Sequence, residues 1–296
     1  MTRINTNKNS NKLVKRSKPS VISFDNNVNE SLKNETKEKN KKKISPKKII
    51  INGLSLIFFI VFAYAAYKLI IRRIGLNQNE KLKEQTNEAV QIIEEKKIDK
   101  ETNEEIVEQK LFVNFDKLKE INPDTVAYLK IKNTNIEYVV VKSDDNDYYL
   151  EHDFSGNYNT AGWIFADYKN KFDGTDKNIV VYGHSMKDGS MFGSLYKIFG
   201  SEWMSNSDNY DLIFYTPGEE SIYRIFSMYR IEAEDYYITT DFSNVSFNEF
   251  ISTIRRRSSV DMDVDVSEND QILTLSTCTT DLNKRIVIHA KKISQE

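Results

Sequence analysis

The sequence holds a single cysteine, Cys278, in 296 residues. No disulfide can therefore form within the chain. A lone thiol in an exported protein points either to intermolecular pairing or to a reactive group. The bland alternative is a small buried hydrophobe. No internal repeat is present. Residues 1–48 are poor in large apolar side chains, so they cannot bury enough surface to offset the entropy of ordering and are expected to lack a fold. Residues 76–110 contain no glycine, proline or aromatic residue, and with dense charge and sparse apolar positions they are read as a helical stalk or one or two surface helices. The acidic run 261–270 ("DMDVDVSEND") lacks what a calcium loop of the EF-hand type requires, since Val266 and Ile272 stand where glycine and glutamate are needed. Its alternation of Asp with Met and Val suits a half-exposed extended segment instead.

What is present is divided unevenly along the chain. Residues 1–48 carry 14 Lys/Arg against 4 Asp/Glu, whereas residues 74–296 carry 25 against 40. Between them lies Ile49–Ile71, "IIINGLSLIFFIVFAYAAYKLII". At a rise of ~1.5 Å per residue this run can cross a ~30 Å hydrocarbon layer. The excess of positive charge before it predicts a cytoplasmic N-terminus and an extracellular remainder, held at the cell membrane by one span. A cleaved signal peptide is the competing reading, because Ala63-Tyr64-Ala65 resembles a cleavage site. The long leader and the apolar run beyond that site favour an anchor. The basic tail could also be a nucleic-acid arm, but beside a span it suits anionic lipid better.

From Phe112 onward, short β-branched and aromatic runs alternate with Gly, Asn and Asp. Strands are expected over 126–131, 136–141, 162–166, 179–182, 211–215, 221–232, 271–277 and 285–291. Eight short strands favour a closed or nearly closed barrel. A capping box at Ser246–Glu249 opens a helix over 246–257 with Phe247, Phe250, Ile251 and Ile254 on one stripe. Arg255–Arg257 suit the last turn of that helix and need no nucleic-acid partner. A second, shorter helix is expected over 190–199, with Phe192, Leu195, Tyr196 and Phe199 facing inward.

A thiol attacks carbonyls as thiolate, so Cys278 needs a basic or cationic neighbour. His152 lies among aromatic and acidic residues and reads as structural or surface. If 271–277 and 285–291 form a hairpin, Arg285 can reach the thiol, whereas His289, four residues further on, sits ~13 Å deeper at ~3.3 Å per residue. His184 follows a β-branched strand that ends in Gly183. From spacing alone, a catalytic and a merely local role for His184 stand side by side. Arg285 could be an ordinary surface ion-pair partner, or its guanidinium and the Thr279 N–H could stabilise an oxyanion.

These stretches together resemble a known family. "TLSTC" followed by "KRIVIHAKKI", with "YGHSMKDGSMFGSL" and "INPDTVAYLKI…NIEYVVVKSDDNDYYLEHDF" before them, is similar to class B sortases, Gram-positive cell-surface transpeptidases, over Phe112–Ile293. The resemblance implies a mainly β fold, an eight-stranded barrel with flanking helices. Together with the composition, it divides the chain into a tail (1–48), an anchor (49–71), a helical stalk or N-terminal helices (72–111) and a catalytic domain (112–296). It implies Cys278 as nucleophile, His184 as acid/base and Arg285 as oxyanion and substrate clamp, with Ser276 and Thr279 contacting substrate, and no metal or cofactor. The implied partners are surface proteins bearing a C-terminal sorting pentapeptide (NPxTx or PPxTG type) and a peptidoglycan-precursor amine of the lipid II kind. Nucleic acid is not among them. The seven-residue step from Cys278 to Arg285 is shorter than in some class B members, and Thr279 replaces an acidic residue found in a relative. Rival readings are a sortase of another class, a cysteine peptidase that resolves its thioester with water, and a membrane-tethered peptide-binding module with an inert thiol.

Overall fold

The computed structural model describes residues 45–98, 105–278 and 284–293. Residues 1–44 of the basic tail, Thr279 and the rest of 279–283 lie outside the described residues. The chain divides into two units, Met1–Phe59 and Ile60–Glu296. In the first, the described residues are the start of helix α1 (Pro46–Asn87). No residue of the 49–71 stretch is buried in the protein, and the helix is long and apolar enough to cross a membrane.

In the second unit α1 continues to Asn87, and the segment after it departs from the expected helical stalk. Strands β1 (Val90–Ile98) and β2 (Glu105–Val113) form an antiparallel hairpin. Two apolar pairs face each other across it, Val90 opposite Val113 and Ile92 opposite Leu111. Cross-strand ion pairs, Lys96–Glu105 at 2.8 Å and Lys110–Glu95 at 3.6 Å, use the charge that suggested a solvated helix. Cross-strand pairing thus overrides local helix propensity. Helix α2 (Phe115–Ile121) leads from the hairpin into the barrel.

The barrel is built from β3 (Thr125–Ile131), β4 (Glu137–Val141), β5 (Phe165–Ala166), β6 (Asn178–Gly183), β7 (Asp211–Thr216), β8 (Glu219–Glu232), β9 (Ile272–Cys278) and β10 (Lys284–Ile293), with the short helix α3 (Ser201–Met204) before β7. It closes in the order β10-β8-β7-β3-β4-β5-β6-β9. All eight expected strands are present. Pairing is antiparallel except for β4 with β5 and β6 with β9.

Alternation along these strands sends side chains into two cores. Leu273 and Leu275 of β9, with Ile286 and Ile288 of β10, join the large cluster shared by all the strands. Ile272 and Val287 face the other way, into a second cluster beneath helix α4 (Phe247–Arg257). α4 buries Phe247, Phe250, Ile251 and Ile254, the stripe read from the sequence. Ser246 is its N-cap but makes no side-chain capping bond, so packing rather than a capping box holds the helix. Arg255 lies over the Phe226 ring and Arg257 over Tyr236 while pairing with Glu234, so these cations serve the fold.

The shorter helix is a 3-10 helix, Gly193–Phe199. Its large buried side chains recur every third position, Phe192 at the cap and then Leu195 and Ile198, and Tyr196 is 56% exposed, contrary to the α-helical expectation. A 3-10 turn of three residues imposes that period. Gly193 is required where this helix passes the Met186 backbone, since a Cβ there would lie 2.1 Å from the Met186 carbonyl oxygen.

Phe250 is fully buried against the rings of Tyr236, Phe242, Phe247 and His289, so Phe250→Ala is expected to destabilise the protein by ~3–5 kcal/mol. Denaturant unfolding measures this, and a loss below ~1 kcal/mol would mean that α4 is not docked as described.

Candidate functional site

Three strand ends meet at one rim of the barrel. β6 and β9 run parallel, so both deliver their C-terminal ends there, and β10 returns antiparallel from the same level. The register pairs Gly183 with Thr277 and Arg285 with Cys278. His184 therefore follows β6 at the level where Cys278 ends β9, with adjacent strands ~4.8 Å apart. Cys278 occupies the middle of this triplet. His184, Cys278 and Arg285 are separated by 94 and 7 positions in the chain and are brought together by pairing alone.

Gly183 is required by the barrel interior. A Cβ there would lie 2.4 Å from Ile164 Cδ1 and 3.0 Å from the Phe192 ring. The half-buried His184 is held on both sides of its loop. The Phe192 N–H donates to its carbonyl at 3.0 Å, and Ser185 bridges to Met191. The imidazole Nε2 lies 2.8 Å from the Leu150 carbonyl oxygen. A carbonyl only accepts, so Nε2 carries the proton and Nδ1 holds the lone pair of the neutral ring.

A cleft of about 580 Å³ opens at this rim and is lined by His184, Arg285, Ser276 and Thr277. Arg285 is half-buried, its Nη1 donating to the Lys284 carbonyl at 2.9 Å. It is the only lysine or arginine among the described lining residues, which include Asp147, Glu234 and Asp235. Ser276 is buried, its Oγ 3.2 Å from the Tyr237 hydroxyl.

Sequence reasoning missed several parts of this wall. The Tyr182 hydroxyl donates to Asp167 Oδ2 at 2.7 Å, and the Asn146 amide donates to the same oxygen at 2.9 Å. Burial, followed by the Asp167 carboxylate, holds the Tyr182 phenol well above the ordinary tyrosine range, so it stays protonated as a donor. Tyr182 precedes Gly183-His184 on a recognisable strand and was within reach of a sequence reading. Tyr237 arrives on a short 3-10 helix, Tyr236–Ile238, and Leu150 acts through its backbone, so neither leaves a side-chain pattern to find.

The other histidines are placed as their spacing suggested. His152 stacks on Tyr148, with ring centroids 4.1 Å apart, and contacts the Tyr148 carbonyl through Nδ1 at 2.7 Å. His289 pairs with Thr274, four residues deeper than the Arg285–Cys278 pair, and is fully buried. Its network is complete. Tyr229 OH donates to Nε2 at 2.9 Å, Nδ1–H donates to Thr274 Oγ1 at 2.8 Å, and Thr274 donates to Asn178 Oδ1 at 2.7 Å. Burial, followed by the charge of Arg257, pushes the His289 pKa down to about 3, so the ring is neutral.

Among the described residues no three His, Cys, Asp or Glu side chains gather as a metal site. Asp261, Asp263 and Asp265 are exposed and alternate with buried Met262 and half-buried Val264 and Val266.

Comparison with known proteins adds a family. The model described as the sortase domain matches residues 129–293. Sortase B of Listeria monocytogenes is 36% identical over 191 residues, covering 60% of this chain and 73% of that protein. The solved Clostridium perfringens sortase B is 37% identical at a TM-score of 0.57, covering 61% of this chain and 100% of that one. The Bacillus anthracis sortase B structure reaches a TM-score of 0.62 at 32% identity, covering 75% and 99%.

The buried His289 generates a pH prediction. Its folded pKa of about 3 lies below the ordinary value, so between the two the unfolded chain holds a proton that the folded chain does not. The stability is complete above pH ~6.5 and is lost as pH falls toward 3, at about 1.4 kcal/mol per pH unit from this group. Denaturant unfolding of the wild-type chain and His289→Gln across that window checks it. The wild-type profile is expected to be the steeper, and parallel profiles would contradict the assignment.

Proposed function

The chain belongs to the sortase family of cysteine transpeptidases, and from that premise we propose that Cys278 is its nucleophile, His184 its proton-transfer group and Arg285 the cation facing the oxyanion. It is a transpeptidase of the sortase B type. The observation that carries the residue assignment is the register, Gly183 with Thr277 and Arg285 with Cys278, at the edge of a substrate-sized cleft.

A cysteine with the ordinary pKa of ~8.5 is mostly protonated at neutral pH, so its proton has to be removed as it attacks. With Nε2–H committed to the Leu150 carbonyl, Nδ1 of His184 is the lone pair that accepts this proton. The sulfur bonds to the carbonyl carbon of the substrate's threonine, and the π electrons move onto oxygen. Arg285 and the Thr279 N–H stabilise that oxygen. Collapse expels the amine of the following residue, which takes the proton from His184 and leaves a thioester. An acceptor amine then bonds to the same carbon, returns a proton through His184 to the departing sulfur, and leaves a new amide. Ser276 lines the cleft beside this centre and is assigned to substrate contact.

The substrate is a surface protein with a C-terminal sorting pentapeptide of the NPxTx or PPxTG kind, and the acceptor is a peptidoglycan-precursor amine of the lipid II type. The apolar stretch 49–71 anchors the chain at the membrane, and the positive excess before it supports a cytoplasmic N-terminus with the barrel outside. That arrangement suits an enzyme whose two substrates meet at the outer membrane face.

Turnover of a fluorogenic sorting peptide by the full chain in detergent, with a diamino acceptor present, tests the roles. Cys278→Ala and His184→Ala are each expected to abolish the amine-joined product. Arg285→Ala is expected to lower kcat/KM by ~10² or more. Product formation by Cys278→Ala at the wild-type rate would overturn the assignment.

A further inference from the structure

The part of α1 beyond the apolar stretch is exposed over most of its surface, yet Gly75, Asn79 and Thr86 are buried along one side of it. Asn79 is 2% exposed and Asn159, in the loop between β4 and β5, is 3% exposed. Burying two amides is unfavourable unless their polar atoms are satisfied. Here they satisfy each other and the backbone. Asn79 Nδ2 donates to the Gly162 carbonyl at 2.9 Å, and Asn159 Nδ2 donates to Asn79 Oδ1 at 2.8 Å and to the Gly75 carbonyl at 2.9 Å. Asn159 Oδ1 accepts from the Ala161 N–H at 3.0 Å. A glycine inside a helix costs roughly 0.5–1 kcal/mol relative to alanine. It is required at position 75, where a Cβ would lie 2.5 Å from Asn159 Oδ1.

The loop gripped in this way is the one that fixes His184. Its two arms are zipped together, with Asn159 N–H donating to the Glu151 carbonyl at 2.7 Å and Trp163 N–H to the Tyr149 carbonyl at 2.9 Å. Gly162, at φ +58°, sits so close that a Cβ would be 2.4 Å from the Tyr149 oxygen and 2.7 Å from the Leu150 oxygen. That Leu150 oxygen accepts from His184 Nε2 at 2.8 Å. Each link from helix to imidazole is therefore a hydrogen bond or a close backbone contact.

We propose that the juxtamembrane end of α1 positions His184, through a latch formed by Asn79 and Asn159 that holds the Leu150 carbonyl against the imidazole. Asn79 and Asn159 are positioning residues, and neither lines the catalytic cleft. The anchor helix thereby acts on the chemistry as well as on location. The inference rests on the proposed role of His184.

The chain contains three histidines, so nitrogen-15 labelling of histidine in the full-length protein in detergent micelles gives few signals to assign. The test compares the wild type with Asn79→Leu, which keeps the branching at the γ carbon but removes both hydrogen bonds. Gly75→Ala is the second variant, since it removes no polar group and favours the helix while pushing on Asn159. Thr86→Val, on the same side of α1 but with its hydroxyl donating within the helix to the Lys83 carbonyl, is the control. At alkaline pH the first two are expected to lose the Nε2–H signature of His184 while the His152 and His289 signals stay put. In the same folded variants kcat is expected to fall about 10-fold or more, with KM for peptide little changed. Thr86→Val is expected to match the wild type in both readouts. His184 signals unmoved in both variants, or moved with kcat unchanged, would overturn the latch. His184→Ala separates the two claims. Full activity there would overturn both, whereas an inactive His184→Ala beside unmoved signals in Asn79→Leu would sink the latch alone.

Discussion

The parallel pairing of β6 with β9 is the constraint on which the rest depends. Strands joined through 88 intervening residues are laid side by side so that Gly183 meets Thr277, and the next residue of each is His184 and Cys278. Because β10 pairs antiparallel on the other side of β9, Arg285 comes to the same level. A slip of one residue would carry Arg285 to the opposite face of the sheet. The register is protected because both faces are buried. Leu273, Leu275, Ile286 and Ile288 lie in the large core, and Ile272 and Val287 lie beneath α4. The large core and the helix packed outside it thus serve positional accuracy as much as stability.

A buried polar network braces the barrel beneath that rim. The Tyr229–His289–Thr274–Asn178 chain crosses β8, β10, β9 and β6 and ties together the four strands that carry or support the site. Its neutral imidazole has every nitrogen paired, so it behaves as a cross-strand bolt. His184 differs in that one nitrogen is committed to the backbone and the other keeps its lone pair. The same residue type serves cohesion at position 289 and, in the role proposed for it, proton transfer at position 184, according to what its neighbours leave free.

Much of this was legible in the sequence, and the misses have physical causes. The strands were found because alternation and β-branching survive at the single-segment level. Strand β5 shrank to Phe165–Ala166 because Gly162 turns at positive φ and Trp163 is pinned by Tyr149. The exclusion of His289 needed only the rise per residue. The β1–β2 hairpin was missed because its stabilising pairs are cross-strand and leave no helical or simple period to read. The 3-10 helix was missed because a three-residue period is nearly indistinguishable from 3.6 over seven residues. Registers between distant strands, and carbonyls such as that of Leu150, have no local signature at all. The grouping of His184 with Cys278 came from resemblance, and the geometry supplied a reason for it.

The most direct test of the central claim is intact-mass measurement of the full-length protein mixed with a sorting peptide in the absence of acceptor amine. The account predicts a mass increase equal to the acyl fragment ending in threonine, mapped to Cys278 and discharged when a diamino acceptor is added. An unmodified Cys278 in a folded protein that nevertheless cleaves the peptide, or an adduct on another residue, would contradict it.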